Sequence, residues 1–246
     1  MKEVIFMPGV GAFFMESKLS IIIIIALILV FIMLIISIAK ASGIKLNINA
    51  RWIARTGVFA ALSVILYTVP FLKFKVPFFP PFLEVHLDEI PALIAGFAYG
   101  PFSGIMIILV KTIIKLPMTT TAGVGELADL VYSLAFVIPA SLIYRRFRTM
   151  KGAIISLLAS TVIQAVVASI ITAFIMLDFY VFMMPGLSMD SILKMCQAIN
   201  PNIKSLGWAF VLYVGLPFNL FKDAIVIVVT FILYKHLHRL IDRIKI

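Results

Sequence analysis

The sequence has few charged residues, one cysteine and no phosphate-binding glycine motif. Charged residues make up 13% of its 246 residues and hydrophobic residues 63%, with a mean hydropathy of +1.17. A soluble domain carries about 25% charged residues, so this composition excludes an ordinary soluble fold. The single cysteine, Cys196, excludes an internal disulfide bond. No glycine is followed directly by lysine, which excludes a P-loop and indicates that the chain does not bind ATP by itself.

Signals for catalysis are also sparse. The histidines His86, His236 and His238 do not form an H-E-x-x-H metal motif, and no G-x-S-x-G serine motif occurs. Glu126 and Asp129 are three residues apart at a predicted helix start, where the helix dipole favours carboxylates. We interpret them as a cap or a pocket rim and not as an acid–base pair. The sequence therefore predicts neither an enzyme nor a metal site.

Apolar residues occur in blocks long enough to cross a bilayer core of about 30 Å. These blocks predict seven spans, at 19–39, 52–72, 89–100, 104–117, 126–144, 152–180 and 208–234. The block 19–39 exceeds the roughly 7–15 apolar residues of a signal peptide, which favours a retained helix over a cleaved one. We therefore divide the chain into an N-terminal segment, 1–50, and a membrane domain of six spans with a basic tail, 51–246.

The net charge of +10 comes from three basic clusters, each next to an apolar block. They are Lys40, Lys45, Arg51 and Arg55; Arg145, Arg146, Arg148 and Lys151; and Lys235, Arg239, Arg243 and Lys245. Such clusters are typical of cytoplasmic loops, so the C-terminus is predicted to be cytoplasmic. Since no base-stacking or groove-reading motif accompanies them, we do not expect nucleic-acid binding.

Two predicted outer segments differ from plain lipid-facing sequence. The first, "KFKVPFFPPFLEVHLDEIP", has prolines that prevent a regular helix and aromatic residues too numerous to be left in water. It is either a hydrophobic loop lying on lipid headgroups or a lid over a cavity. The second, "KLPMTTTAGVGELADL", has small residues that let a backbone approach a ligand closely. It is either a ligand-contacting loop or a tight turn between helices.

The last span contains polar residues at membrane depth. Continued as one helix, Lys222 lies about 20 Å from Lys235, near the middle of the bilayer. Asn219 and Lys222 are three residues apart and point to one side, whereas Asp223 is rotated by about 100°. Intramembrane lysines usually face a bundle interior, a wet cavity or a partner. The sequence thus leaves two hypotheses, a Lys–Asp pair that joins helices or a polar rim at the bottom of an aromatic pocket.

Three stretches together carry a family resemblance. They are "FPPFLEVHLDEIPALIAGFAYGPFSGI", "TTTAGVGELADLVYSLAFVIPASLIYRRFRTMKGAI" and "PFNLFKDAI". In this order, from about Arg51 to Lys235, the chain resembles the riboflavin-binding S component of energy-coupling factor (ECF) vitamin transporters. The resemblance implies an all-α integral membrane protein, a six-helix bundle, to which the helix at 19–39 is an addition. It also implies riboflavin uptake across the bacterial cytoplasmic membrane, with riboflavin or its phosphate FMN as ligand and no cofactor.

The resemblance also implies a binding site. Backbone groups of two loops and side chains of the fifth and sixth family helices meet the flavin in that family. The corresponding residues here are Phe82, Leu83 and Glu84, then Thr121, Ala122 and Gly123, and finally Asp178, Asn219 and Lys222. Asp178 departs from the asparagine of the family, and an ionised carboxylate only accepts hydrogen bonds whereas an amide also donates.

Partners follow from the same resemblance, which implies a transmembrane coupling subunit and two cytoplasmic ATPases. Gly57 and Ala61 are four residues apart, and small residues at this spacing let another helix approach closely. They are assigned to coupling-subunit docking, with packing inside the bundle as the alternative. Thiamine or a folate remains an alternative substrate, and a membrane enzyme or assembly factor an alternative class.

Overall fold

The structure, a computed structural model, describes residues 48–184 and 186–244, with side chains as far as Tyr234. This part of the chain lies in one compact unit, Ile48–Ile246. The predicted additional helix at 19–39 lies outside the described residues, and so does nearly all of the N-terminal segment 1–50.

The described chain is almost entirely helical, as predicted. Two short strands, β1 (Phe74–Lys75) and β2 (Glu84–Val85), lie between the first two helices. The helices are α1 (Ala50–Thr68), α2 (Glu89–Tyr99), α3 (Pro101–Lys115), α4 (Val124–Arg146), α5 (Met150–Ile171), α6 (Leu177–Met183), α7 (Met189–Gln197), α8 (Trp208–Phe210) and α9 (Leu216–Ile244).

Among the described residues, five helical stretches are long and apolar enough to cross a membrane. They are Ala50–Thr68, Pro101–Met118, Val124–Arg146, Met150–Met183 and Trp208–Tyr234. Helix α2 is apolar but has 11 residues, about 16 Å of helix, which is too short to cross a bilayer core of about 30 Å. It lies instead in the middle of the bundle, in contact with α1, α3, α4 and α9. Its residues Ala92, Leu93 and Ala95 are 0% exposed.

Two of the long stretches contain a π-helical segment. Thr172–Met176 joins α5 to α6, and Val211–Gly215 joins α8 to α9. The second segment directly precedes Pro217, whose ring would clash with a carbonyl four residues back in a regular helix. The wider π-helical turn relieves this clash, so Pro217 explains why the helix is irregular at this point. The two π segments contact each other.

The proline-rich loop, residues 73–88, packs against the start of α9. Its ends pair as antiparallel strands β1 (Phe74–Lys75) and β2 (Glu84–Val85). The ring of Phe79 lies 5.3 Å from that of Phe218 and 5.9 Å from that of Phe221. Phe78 also contacts the Phe221 ring, at 5.6 Å, and remains 57% exposed. The loop therefore covers the helix that carries Asn219 and Lys222.

Helix α7 was not predicted from the sequence. Ser188 and Ser191 form a reciprocal capping box at its N-terminus. Ile192 and Cys196, four residues apart, are buried against the cluster that includes Leu177 and Phe210. Burial raises the pKa of the Cys196 thiol to about 11. The amphipathic spacing of Ile192 and Cys196 is the signal that could have revealed this helix.

Candidate functional site

Asn219 and Lys222 both face the interior of the bundle. Asn219 is 7% exposed and Lys222 is 4% exposed. The Lys222 ammonium donates to Glu89 Oε1 at 2.9 Å. The Asn219 amide donates to the Gly215 carbonyl at 2.9 Å and accepts from Gln164 Nε2 at 3.2 Å. This placement is consistent with the prediction that the pair points inward. In the structure both side chains form hydrogen bonds with other groups of the protein.

Lys222 is one end of a larger set of polar groups, which we call the buried charge network. It consists of His86, Asp88, Glu89, Lys111, Asp129, Ser133, Lys222 and Asp223. The network connects the end of the proline-rich loop with helices α2, α3, α4 and α9. Four carboxyl groups share two ammonium groups within it.

The contacts run from Lys222 to the loop without interruption. Glu89 Oε1 accepts from Ser133 Oγ at 3.1 Å, and Ser133 in turn accepts from Lys111 Nζ at 2.9 Å. Lys111 contacts Asp88 and lies 2.8 Å from Asp129 Oδ2. All of these side chains are buried. Because a buried charge without a partner costs several kcal/mol, each ion here depends on its neighbours.

His86 brings the loop into this network. Its Nδ1 lies 3.1 Å from Asp88 Oδ1 and 3.7 Å from Asp129 Oδ1. Burial raises the pKa of the Asp88 carboxyl, but Lys111 and His86 outweigh it and hold the pKa below its usual value. His86, Asp88 and Asp129 offer atoms within 4.8 Å of one another, a spacing that a metal ion could use. The Lys111 ammonium already contacts both carboxylates and supplies the positive charge there.

Sequence reasoning missed three charged members of this network, Asp88, Glu89 and Lys111, and the serine Ser133. Lys111 lies within the predicted block 104–117 and carries the same signal as Lys222, an ionisable residue at membrane depth. Asp88 and Glu89 belong to the first outer segment, where the sequence pattern assigns them no role. One hypothesis from the sequence was a Lys–Asp pair that joins helices. In the structure Lys222 joins helices through Glu89, at 2.9 Å, while Asp223 lies 3.9 Å from it.

The second predicted loop forms a tight turn before α4. Ala122 and Gly123 have positive φ angles of 52° and 88°. The Thr119 hydroxyl accepts from the backbone N–H groups of Thr121 and Gly123, at 3.1 and 2.9 Å. Glu126 accepts from the hydroxyls of Thr119 and Thr121, at 2.7 and 3.1 Å. Glu126 thus stabilises the turn, while Asp129 belongs to the buried charge network, so the two carboxylates act separately.

The structure also places the residues predicted on the first loop. Leu83 packs against both the cluster around Leu177 and the cluster around Phe218. Phe82 is 38% exposed. Glu84 lies in β2, where its carboxylate is 3.7 Å from the Lys75 ammonium. The backbone of this segment therefore lies beside α9 while its polar side chain reaches solvent.

Asp178 lies apart from the buried pair. It is exposed and lines a surface pocket of about 440 Å³ between α6, α7 and residues 204–207. Phe174, Met189 and Lys204 belong to the same wall. Neither Asn219 nor Lys222 lines this pocket, so the exposed Asp178 and the buried pair have different surroundings.

A bundle of membrane-crossing helices with buried polar groups beneath a loop indicates a membrane protein with an internal polar site. Residues 51–234 match the family of the substrate-specific component of ECF transporters, and the chain belongs to this family. The predicted family is therefore confirmed. The chain is a multi-pass membrane protein that serves a transporter as a substrate-binding component and is not an enzyme.

Individual relatives support the same placement. The chain is 28% identical over 197 residues to the riboflavin transporter RibU of Staphylococcus aureus (strain TCH60), covering 80% of this chain and 97% of that protein. It is 29% identical over 177 residues to the riboflavin transporter FmnP of Bacillus subtilis (strain 168), covering 70% and 85%. A solved structure, "Structure and mechanism of the S component of a bacterial ECF transporter", matches with a TM-score of 0.60 and 25% identity, covering 77% and 96%.

Proposed function

We propose that this chain binds riboflavin and mediates its uptake as the substrate-specific subunit of an ECF transporter. Two relatives that bear the name riboflavin transporter, matched over most of their length, support this substrate. The observation that carries the proposal is the buried pair Asn219 and Lys222 on α9, beneath an aromatic loop.

The chemistry of the pair suits a flavin. The isoalloxazine ring is flat and apolar on its faces, and its imide edge has two carbonyl acceptors and one N–H donor. Aromatic and aliphatic side chains can contact the faces, while an amide and an ammonium can meet the edge. A few polar groups in a mostly apolar pocket are the usual arrangement for a small ligand.

Lys222 can serve a ligand and Glu89 together. An ammonium has three N–H donors, and in the described structure Glu89 accepts one of them at 2.9 Å. A flavin carbonyl can take another without breaking that pair. Asn219 also keeps capacity for a ligand, because its second amide N–H makes only a 3.5 Å contact with Ser169 Oγ and its oxygen, which accepts from Gln164, can accept a second hydrogen bond.

The proposed contacts combine the loops and helices described above. Backbone groups of Phe82–Glu84 and of Thr121–Gly123 approach the flavin, and the side chains of Asn219 and Lys222 bind its edge. Asp178 stays in the proposal as a rim residue, although its exposed position favours a contact with the polar ribityl chain over one with the ring. The six-helix bundle of the proposal counts α1, α2, α3, α4, α5–α6 and α8–α9, with 19–39 as an additional helix.

An equilibrium titration tests the substrate. Purified protein is titrated with riboflavin, with FMN and with thiamine, and quenching of flavin fluorescence reports binding of the first two. We expect saturable riboflavin quenching at one site per chain. Calorimetry measures thiamine, and tight thiamine binding without flavin binding would refute the proposal.

We further propose that the chain docks on a transmembrane coupling subunit served by two cytoplasmic ATPases. Gly57 and Ala61 are exposed on α1, and a Cβ added at Gly57 would meet no atom of the described residues within 4 Å. Such a position favours contact with another helix over packing inside the described bundle.

We also propose that the protein lies in the bacterial cytoplasmic membrane with its C-terminus on the cytoplasmic side. This orientation rests on the basic clusters.

Replacing Gly57 with leucine tests this docking face. Because a Cβ at this position meets no described atom within 4 Å, we expect riboflavin affinity to stay at the wild-type value and thermal stability not to fall, since leucine also favours a helix more than glycine does. In the assembled transporter the same side chain separates two helices, so uptake of labelled riboflavin should fall severalfold. A matched control is Val58→Leu, which enlarges an exposed neighbour on another face of α1. Normal uptake by the Gly57 variant would exclude this surface.

A further inference from the structure

Glu89 is the member of the buried charge network that contacts the proposed substrate lysine. It is 0% exposed, and its Oε1 accepts from Lys222 Nζ at 2.9 Å and from Ser133 Oγ at 3.1 Å. We propose that Glu89 is a positioning residue for riboflavin binding, which fixes the Lys222 ammonium where the ligand meets it. This inference rests on the proposed function and concerns a residue outside the predicted site.

Lys222 needs such a partner because of its own chemistry. A lysine ammonium stands on a flexible four-carbon stem and has no fixed direction of its own. Asp223, the next residue on α9, offers a second carboxylate, with Oδ1 at 3.9 Å from Lys222 Nζ. Since neighbouring residues on a helix are rotated by about 100°, Asp223 draws the ammonium toward a different direction. The shorter contact with Glu89 directs the Lys222 ammonium toward α2.

Glu89 is itself held from two sides. It is the first residue of α2, where the helix dipole favours a carboxylate. The Ser133 hydroxyl on α4 donates to Glu89, and Lys111 on α3 donates to Ser133. Three helices therefore fix the position of the oxygen that receives Lys222.

The other carboxylate oxygen of Glu89 also indicates that the Lys222 contact matters. Oε2 is buried and has no hydrogen-bond partner among the described residues. A buried carboxylate oxygen left in this state is unfavourable, so packing alone does not explain a glutamate here. Attraction to the Lys222 ammonium does explain it, because the charge interaction offsets the burial of the carboxylate.

A double-mutant cycle on riboflavin affinity tests the assignment. The variants are Glu89→Ala, Glu89→Gln and Lys222→Met, alone and combined in the full chain. With Lys222 present, we expect Glu89→Ala to weaken binding about tenfold and Glu89→Gln, which keeps an acceptor oxygen, to weaken it less. With Lys222 replaced by methionine, either change should alter the affinity by less than about twofold.

The control cycle uses another buried carboxylate, Glu126, which is 4% exposed and binds threonine hydroxyls. Glu126→Gln should change affinity by the same factor in both Lys222 backgrounds. As a second readout, the absorption bands of bound riboflavin should shift in Glu89→Gln in the same direction as in Lys222→Met. If Glu89→Ala does not fold, Glu89→Gln, which has the native shape, carries the test.

The outcomes separate the two proposals. Equal factors for the Glu89 variants in both backgrounds would overturn the positioning role while the binding site stands. Wild-type affinity in Lys222→Met would instead overturn the proposed site, and the role of Glu89 with it. Non-additive loss confined to the Lys222 background is the result that supports the inference.

Discussion

Lys222→Met is expected to weaken riboflavin binding by at least about tenfold, since hydrogen bonds to charged groups contribute about 1.5–3 kcal/mol. Lys222 is 4% exposed, and its ammonium points into the bundle. Fluorescence titration of the purified, monodisperse variant measures the loss. Because Glu89 and Asp223 lose their cation, the melting temperature should also fall, although the bundle still inserts.

Two controls separate binding from folding in this experiment. Lys194→Met removes an exposed lysine that pairs with Asp190 at 2.7 Å, and it should leave the affinity and the melting temperature unchanged. Asn219→Ala removes the second polar group of the pair without leaving a charge unpaired, and should weaken binding while affecting stability less. Unchanged riboflavin affinity in Lys222→Met would refute the proposed pocket, and Asn219→Ala tests the same pocket through its second polar group.

Lys111→Met is expected to destabilise the protein strongly, and by more than Lys222→Met does. The Lys111 ammonium is 0% exposed and lies between Asp88 and Asp129. Removing one partner of a buried ion pair costs about 3–5 kcal/mol. For a domain of this size that corresponds to a fall in melting temperature on the order of 10 °C. A thermal unfolding scan in detergent measures it.

Charge and packing can be separated in the same experiment. The triple variant Lys111→Met, Asp88→Asn and Asp129→Asn removes the cation together with its two anions. Because uncharged groups of similar shape can replace a buried ion pair at little expense, we expect the triple variant to recover much of the lost stability. A triple variant that is no more stable than Lys111→Met would show that the loss came from packing.

Several helices of this chain could be predicted from the hydrophobic pattern of the sequence. The predicted spans 126–144 and 208–234 lie within α4 and within the stretch α8–α9, and the short block 89–100 matches α2 nearly residue for residue. Apolar length and the residues at block ends determine these elements, and both are local properties. Helix α7 was missed because it depends on burial against distant residues, and the π segment Thr172–Met176 was missed because no proline or glycine marks it in the sequence.

The candidate site divides in the same way. Asn219 and Lys222 could be singled out because an amide and an ammonium in an apolar block are conspicuous at any position. Asp178 was assigned by resemblance, and in the structure it is exposed and lines a surface pocket that neither Asn219 nor Lys222 lines. Lys111 carried a local signal that was passed over.

By itself, the sequence determined that this protein crosses a membrane several times, where the long apolar helices of the described part lie, and that the last of them carries a polar pair at membrane depth. These properties follow from hydrophobic length and from helical spacing, which need no knowledge of neighbours. Only the tertiary structure decided which charges meet. Glu89 and Lys222 are 133 positions apart in the chain, and Asp88, Lys111 and Asp129 come from different helices or loops. A buried ion is stabilised by whichever opposite charge packing brings within hydrogen-bonding distance, and that pairing has no local signature.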